Sequence, residues 1–291
     1  MKDKIPTYSI CNLLNDDNSL ADIVVYDLNE FIQAHQNLVF PHRHSFYQIL
    51  YIYKGSGKHI IDFESYPVAS GMLYLLAPSQ VHTWIFNDGV EGCLINFNEN
   101  FFSSYLANKN FISDFHFFSG NHKYSVHKLK SENKNILLPI LKSILVEQQS
   151  EHESKNEIMR ALLLQFILLF AKQNARVSQS FASKHHYTVF RNFEKLIELH
   201  FTQLKLPKEY AELLFITPNH LNSLCNEVVG KSAGELIRDR ILLEAKRLLI
   251  NSNYTISQIC YKLNFEDNSY FTKFFKKYVH CTPDDFRKNI H

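Results

Sequence analysis

The chain has 291 residues, of which 45% are hydrophobic and 21% charged, and carries a formal net charge of +2. That length suits about two domains, and the apolar fraction argues against global disorder. Eight Gly and eight Pro exclude a collagen-like or low-complexity chain, and five scattered Cys without a CxxC pair argue against a disulfide framework or a four-ligand zinc knuckle.

The first twenty residues are polar and lack the apolar core of a secretory signal. Between Ile23 and Phe97, short β-rich runs alternate with turn residues: Phe46–Tyr53, His59–Phe63, Met72–Leu76 and Cys93–Phe97, broken at Lys54–Gly57, Ser70-Gly71, Pro78-Ser79 and Asp88-Gly89. Many short strands at this spacing predict an antiparallel barrel or sandwich.

From Lys134 the period changes. Ile136, Leu137, Ile140, Leu141, Ile144 and Leu145, then Ile158, Leu162, Leu163, Phe166, Ile167 and Phe170, recur at helical spacing. Two amphipathic helices are expected, whose apolar faces either pack on the barrel or pair between two chains. The most apolar window, Leu162–Ala171, is far shorter than the roughly 20 residues a membrane span needs. A soluble, cytoplasmic protein with reduced thiols and no membrane partner is expected.

Residues 173–187 are polar and read as a linker between a domain over 1–172 and a second over 188–291. Charge follows that division: residues 1–183 hold 15 Lys+Arg against 17 Asp+Glu, and residues 184–291 hold 16 against 12. The basic end is where a phosphate-bearing partner is expected.

That end contains an internal repeat, Leu214–Arg238 against Leu263–Arg287. Thr217 and Asp267 are equivalent N-caps, Leu221 matches Phe271, and Ser232 with Glu235 matches Thr282 with Asp285 as capping boxes. The predicted helices are Pro207–Leu214 and Asn219–Val228 in the first copy, and Ile256–Leu263 and Asn268–Tyr278 in the second. Ser232–Asn251 connects them. Each copy reads as helix, turn, capped helix, the pattern whose second helix enters the major groove.

Helical spacing turns Leu221, Leu224, Cys225 and Val228 inward and Asn219, His220, Asn222 and Ser223 outward. In the second copy Phe271, Phe274, Phe275 and Tyr278 face inward, and Asn268, Ser269, Thr272 and Lys273 outward. Asn pairs with adenine and Lys with guanine. Lys276, Lys277, Arg240 and Arg247 suit backbone phosphates.

Residues Ile256–Arg287 resemble the signature of AraC/XylS-type transcriptional regulators, above all at Ser269-Tyr270-Phe271, Phe275-Lys276-Lys277, Thr282-Pro283 and Phe286-Arg287. Thr217–Leu221, Gly230–Ser232 and Ala245–Leu249 match the first half. The resemblance implies two helix-turn-helix units reading successive major-groove segments of double-stranded DNA. Phe215 and Asn264 stand where that family usually has a turn glycine, and His280 where copy one has Gly230. Asn accommodates positive φ; Phe is the harder fit.

Pro41–His44, Phe46–Gln48, Gly55–Gly57, Gly71 and Pro78–His82 resemble the family's cupin-like regulatory domain. The implied fold is a multidomain α+β protein: an N-terminal cupin-like antiparallel β-barrel with helices, then an all-α double helix-turn-helix. His42, His44, Tyr47, His82 and Trp84 are expected to face an effector pocket for a small molecule. The implied partners are that effector, DNA, a second copy of the chain and RNA polymerase. Metal-dependent cupin enzymes pair His-x-His and a distant His with a carboxylate, but Gln48 holds that position and brings no charge. No cofactor is expected, and no nucleophile triad or phosphate loop points to catalysis. Two alternatives are a metal-dependent cupin enzyme with a vestigial DNA-binding domain and a constitutive regulator whose barrel only dimerises.

Overall fold

The computed structural model describes residues 6–14, 21–35, 40–87, 89–108, 111–120, 122–178, 184–251 and 254–289. It divides into two compact units, Ile5–Asn174 and Ala175–His291.

The N-terminal unit begins with β1 (Thr7–Tyr8), α1 (Ile10–Leu14), β2 (Ile23–Asp27), α2 (Leu28–Ala34) and β3 (Arg43–His44). The main strands are β4 (Tyr47–Lys54), β5 (Ser56–Ile61), β6 (Glu64–Ala69), β7 (Met72–Leu76), β8 (His82–Phe86) and β9 (Glu91–Phe97). Then come α3 (Asn100–Ser103), β10 (Val126–Lys128), α4 (Ser131–Gln148) and α5 (Lys155–Ser178). A five-stranded sheet runs β10-β7-β4-β9-β2, and a three-stranded sheet runs β6-β5-β8. All their pairings are antiparallel. β1 and β3 form a two-residue parallel ladder. The strands make two antiparallel sheets that share a core, the barrel-or-sandwich class expected from the sequence, without hydrogen-bonded closure between the sheets among the described residues. A bridge outside the named strands, His42 to His82, lies at the β8 edge.

The five-stranded sheet is buried on both faces, which explains the unbroken apolar runs of β4, β7 and β9. Successive side chains point to opposite faces. Leu50, Ile52, Tyr74, Leu76, Val24 and Leu94 face a core shared with Ile61, Val68 and Trp84 of the smaller sheet. Tyr47, Ile49, Tyr51, Leu73, Leu75, Ile95 and Phe97 face the helices. There Leu137, Ile140, Leu141 and Ile144 of α4 and Met159, Leu163, Phe166, Ile167 and Phe170 of α5 cover them. The apolar helix faces thus pack on the sheet. Ile136, Val146, Ile158 and Leu168 remain exposed.

Much of the expected linker is helical: residues 173–178 end α5, and α6 (Lys184–His200) starts at 184, while 179–183 lie outside the described residues. The C-terminal unit continues with α7 (Pro207–Leu213), α8 (Pro218–Val229), α9 (Ala233–Asn251), α10 (Ile256–Lys262), α11 (Asn268–Val279) and α12 (Pro283–Asn289). Phe193, Tyr210, Leu221, Leu224, Cys225, Ile237, Ile259, Phe271 and Phe275 meet in one core.

The caps form as the sequence predicts. Thr217 accepts from the His220 N–H, Asp267 from Tyr270 and Thr255 from Gln258. Glu235 reaches back to the Ser232 N–H at 2.8 Å. Phe215 (φ 56°) and Asn264 (φ 53°) hold the two turns in the left-handed region, so both turns keep the same geometry despite the different residue. Phe215 is 96% exposed, its ring gaining no burial. His280 (φ 66°) ends α11 as Gly230 (φ 68°) ends α8.

None of the five cysteines, all among the described residues, is in a disulfide; Cys93, Cys225 and Cys260 are buried, and Cys11 and Cys281 half-buried. Among the described residues, no helix is long and apolar enough to cross a membrane.

Candidate functional site

Two sites follow, one in each unit. In the C-terminal unit the packing of α8 and α11 leaves one face of each open. On α8, Asn219, His220 and Ser223 are exposed; on α11, Asn268, Ser269, Lys273, Lys276 and Lys277 are exposed and Thr272 half-buried. Tyr270, 58% exposed, joins that face; its position beside Ser269 was the signal for it.

Three sequence-assigned residues are engaged within the protein. Asn222 is half-buried, and its Oδ1 accepts from the Ala233 N–H at 2.9 Å, capping the start of α9. Arg240 donates to Glu198 at 2.8 Å and Glu244 at 3.0 Å and lies 3.9 Å over the Phe201 ring. Arg247 is 6% exposed, with Glu244 at 3.9 Å. These contacts give both arginines a structural role within the unit. Asn268 also has a local partner, donating to Ser257 Oγ at 2.6 Å, but stays exposed.

In the N-terminal unit, His42, His44, His82 and Trp84 do come together. Ring centroids lie 4.3 Å apart for His42–His82, 5.0 Å for His44–His82 and 5.4 Å for His82–Trp84. The strands explain the convergence: His82, Trp84 and Phe86 alternate on one face of β8, and β5 places His59 opposite Trp84. Tyr47 does not join them. It is one residue out of phase with Gln48, so its ring turns to the helix layer, 5.4 Å from Phe97 and 5.1 Å from Phe118. Gln48 occupies the pocket side instead, its Nε2 donating to Asn96 Oδ1 at 3.0 Å. His59 and Asn96 were missed because cross-strand partners are set by register rather than by local pattern.

Hydrogen bonding sets the tautomers. Nδ1 of His42 lies 2.9 Å from the Phe40 carbonyl and Nδ1 of His44 2.6 Å from that of Phe46, so both carry the proton. His59 Nε2 accepts from Trp84 Nε1 at 3.0 Å and faces His82 Nδ1 at 3.1 Å. In this cluster His44 Nε2 and Gln48 Oε1 are left as unpaired acceptors, His59 Nδ1 and Asn96 Nδ2 as unpaired donors, and His82 Nε2 also lacks a partner. Each such group costs about 1–3 kcal/mol. Burial holds all four imidazoles neutral: it lowers His42, pushes His44 down to about 3, and takes His59 and His82 well below the ordinary range.

Tyr8, Leu13, Phe31, His42, His44, Phe46, Gln48 and Trp84 line a cavity of about 10 Å³, with no Lys, Arg, Asp or Glu among them. That is room for about one water. Among the described residues, no group of three or more His, Cys, Asp or Glu side chains is arranged to hold a metal ion.

The model of an AraC-like ligand binding domain matches residues 30–190, and that of a helix-turn-helix domain matches residues 210–289. The chain is similar to the HTH-type transcriptional activator RhaR of Mannheimia succiniciproducens, 20% identical over 260 residues, covering 89% of this chain and 91% of the relative. It is similar to RhaS of Escherichia coli, 22% identical over 258 residues, covering 86% and 88%. Among solved structures, ToxT of Vibrio cholerae shows 16% identity and a TM-score of 0.42, covering 91% of this chain and 97% of that one. With a ligand-binding model matched over more than half its length and twin capped helix-turn-helix units behind it, the chain belongs to the AraC family of DNA-binding transcriptional regulators.

Proposed function

We propose that this regulator senses an uncharged, hydroxyl-bearing small molecule through residues 1–172 and binds its operator through residues 188–291, joined by 173–187. The reading of the sensor is carried by unpaired buried polar atoms at and beside the cavity: His44 Nε2 and Gln48 Oε1 belong to residues that line it, and His59, His82 and Asn96 pack against that lining. His44 and Gln48 offer lone pairs, and His59 and Asn96 offer N–H groups. A carboxylate could serve only the N–H groups, and an ammonium only the lone pairs, each leaving a buried remainder unpaired. A hydroxyl donates and accepts at once, and Trp84 and Phe46 give its carbon skeleton apolar walls. An effector larger than one water requires those walls to part. His42, His44, His82 and Trp84 line the site, with Gln48, His59 and Asn96 added and Tyr47 withdrawn.

On DNA, Asn219, His220, Ser223, Ser269, Tyr270 and Lys273 contact bases, and Lys276 and Lys277 contact phosphates. Asn268 and Thr272 lie at the edge of that surface. The exposed Ile136, Val146, Ile158 and Leu168 supply the dimer contact. Effector binding changes DNA affinity by favouring one arrangement of the dimer over another. The reading includes RNA polymerase as partner, the cytoplasm as location, transcriptional activation as in the named relatives, and no catalytic role.

A thermal-shift series with neutral polyols, carboxylates and amines tests the sensor, followed by gel shifts on fragments recovered by genome-wide binding. Stabilisation by polyols alone, with altered DNA affinity, is expected. Stabilisation by carboxylates or amines alone overturns the effector class. Stoichiometric metal in the purified protein favours the cupin-enzyme alternative, which the carboxylate-free His42, His44, His82 and Gln48 set does not support.

A further inference from the structure

We propose that the two helix-turn-helix units divide the work of DNA binding unequally: the second grips the phosphate backbone, and the first selects sequence with little electrostatic hold of its own. This rests on the reading of the C-terminal unit as the DNA-binding one.

The repeat supplies an internal comparison. Leu221 and Cys225 of α8 are buried as Phe271 and Phe275 of α11 are, and Thr217 and Asp267 cap equivalent starts. The open faces are therefore in register. Where α8 has Ser223, Asn226 and Glu227, α11 has Lys273, Lys276 and Lys277, all exposed. The first helix carries no Lys or Arg, and its one acid, Glu227, is held by His186 at 2.8 Å.

The contrast extends to whole units. Residues 207–229 contain one Lys against three Glu; residues 256–279 contain four Lys against one Glu and one Asp. Lys208 is exposed, but several other cations near the first unit are engaged within the protein. Lys231 pairs with Asp239, Arg240 with Glu198 and Glu244, and Lys205 with the Asn264 carbonyl. Arg238 stacks on the Tyr278 ring at 4.3 Å. Non-specific affinity comes almost wholly from released counterions, so it follows the lysines of the second unit. Encounter with any duplex then begins at α11, and α8 supplies the discrimination.

The test uses the full chain and a random-sequence duplex of about 30 base pairs, with anisotropy titrations from 50 to 200 mM NaCl. Each neutralised phosphate contributes about 0.9 to the slope of log affinity against log salt. K273Q/K276Q/K277Q should flatten that slope by about 2 to 3. Conversely, S223K/N226K, which grafts two α11 charges onto α8, should steepen it by about 2, and decides the matter if the triple variant misfolds. N219A/H220A should broaden the set of sequences enriched from a random pool while the slope persists. A lysine triple that folds and keeps the wild-type slope, or a graft that does not steepen it, overturns the division of labour. Failure of the wild-type chain to bind any duplex instead overturns the DNA-binding reading itself.

Discussion

Gly230 and His280 occupy the same left-handed position after equivalent helices, and exchanging their residue types isolates the cost of that conformation. Gly230 sits at φ 68°, ψ 20°, and a Cβ built on it meets nothing within 4 Å. Gly230→Ala therefore costs backbone strain alone, about 1–2 kcal/mol, less roughly 0.4–1 kcal/mol because alanine restricts the unfolded chain. A net loss of about 1 kcal/mol remains. His280 at φ 66° is exposed, so His280→Gly sacrifices no packing and should gain about 0.5–1 kcal/mol by the reverse argument. For a unit of this size that corresponds to a melting shift of roughly 4 °C in either direction. Far-ultraviolet circular dichroism reports the helices of both units, so the C-terminal unit is read from the part of the dichroism melt that Trp84 fluorescence does not follow. Fluorescence of Trp84, the single tryptophan, reports the other unit and should not move. An unchanged dichroism midpoint in Gly230→Ala, or a lowered one in His280→Gly, refutes the reasoning.

Asn222→Ala should lower stability by about 1 kcal/mol by stranding the Ala233 N–H, and weaken binding to random and selected DNA alike; a loss confined to one base position would show it reads a base. Arg240→Ala should lower the melting point of the C-terminal unit by several degrees through loss of Glu198, Glu244 and Phe201 contacts, leaving the salt slope of DNA binding intact; a flattened slope would return it to the phosphates. Acid should destabilise the N-terminal unit. His44 is pushed from the ordinary histidine value near 6.5 down to about 3 by burial, so below that value the unfolded chain binds the extra proton. Stability is complete above pH 6.5 and falls by about 1.4 kcal/mol per pH unit per such histidine as pH drops toward 3. Denaturant midpoints from Trp84 fluorescence at pH 7 and pH 5 check this, and equal midpoints count against it.

Features set by neighbouring residues were legible in the sequence. Thr217, Thr255, Asp267 and Ser232 mark their helix starts because a cap bonds only two or three residues ahead. His42, His44 and His82 were legible as a group only through the resemblance to the cupin pattern of a His-x-His pair and a distant His. What depended on distant partners was not. Arg240 reads as a free cation until Glu198, 42 residues earlier, is placed beside it. Tyr47 and Gln48 differ only in parity, and nothing local says which face of a doubly buried strand meets which layer. The polar stretch after Lys172 lacks an apolar stripe, yet residues 173–178 continue α5, since a helix already nucleated extends at little cost.

The doubly covered sheet leaves only the thickness of one polypeptide between the imidazoles and α4/α5. Gln48 projects into the polar interior while Tyr47 and Ile49, its immediate neighbours, lie against the helical layer. Any displacement of that backbone by an occupant must therefore be felt on the far side. It also follows that β4 cannot tolerate gain or loss of a single residue between Tyr47 and Ile52, which would exchange the two environments wholesale. The irregularity between Ile52 and Lys54 marks the place where length can vary without that inversion.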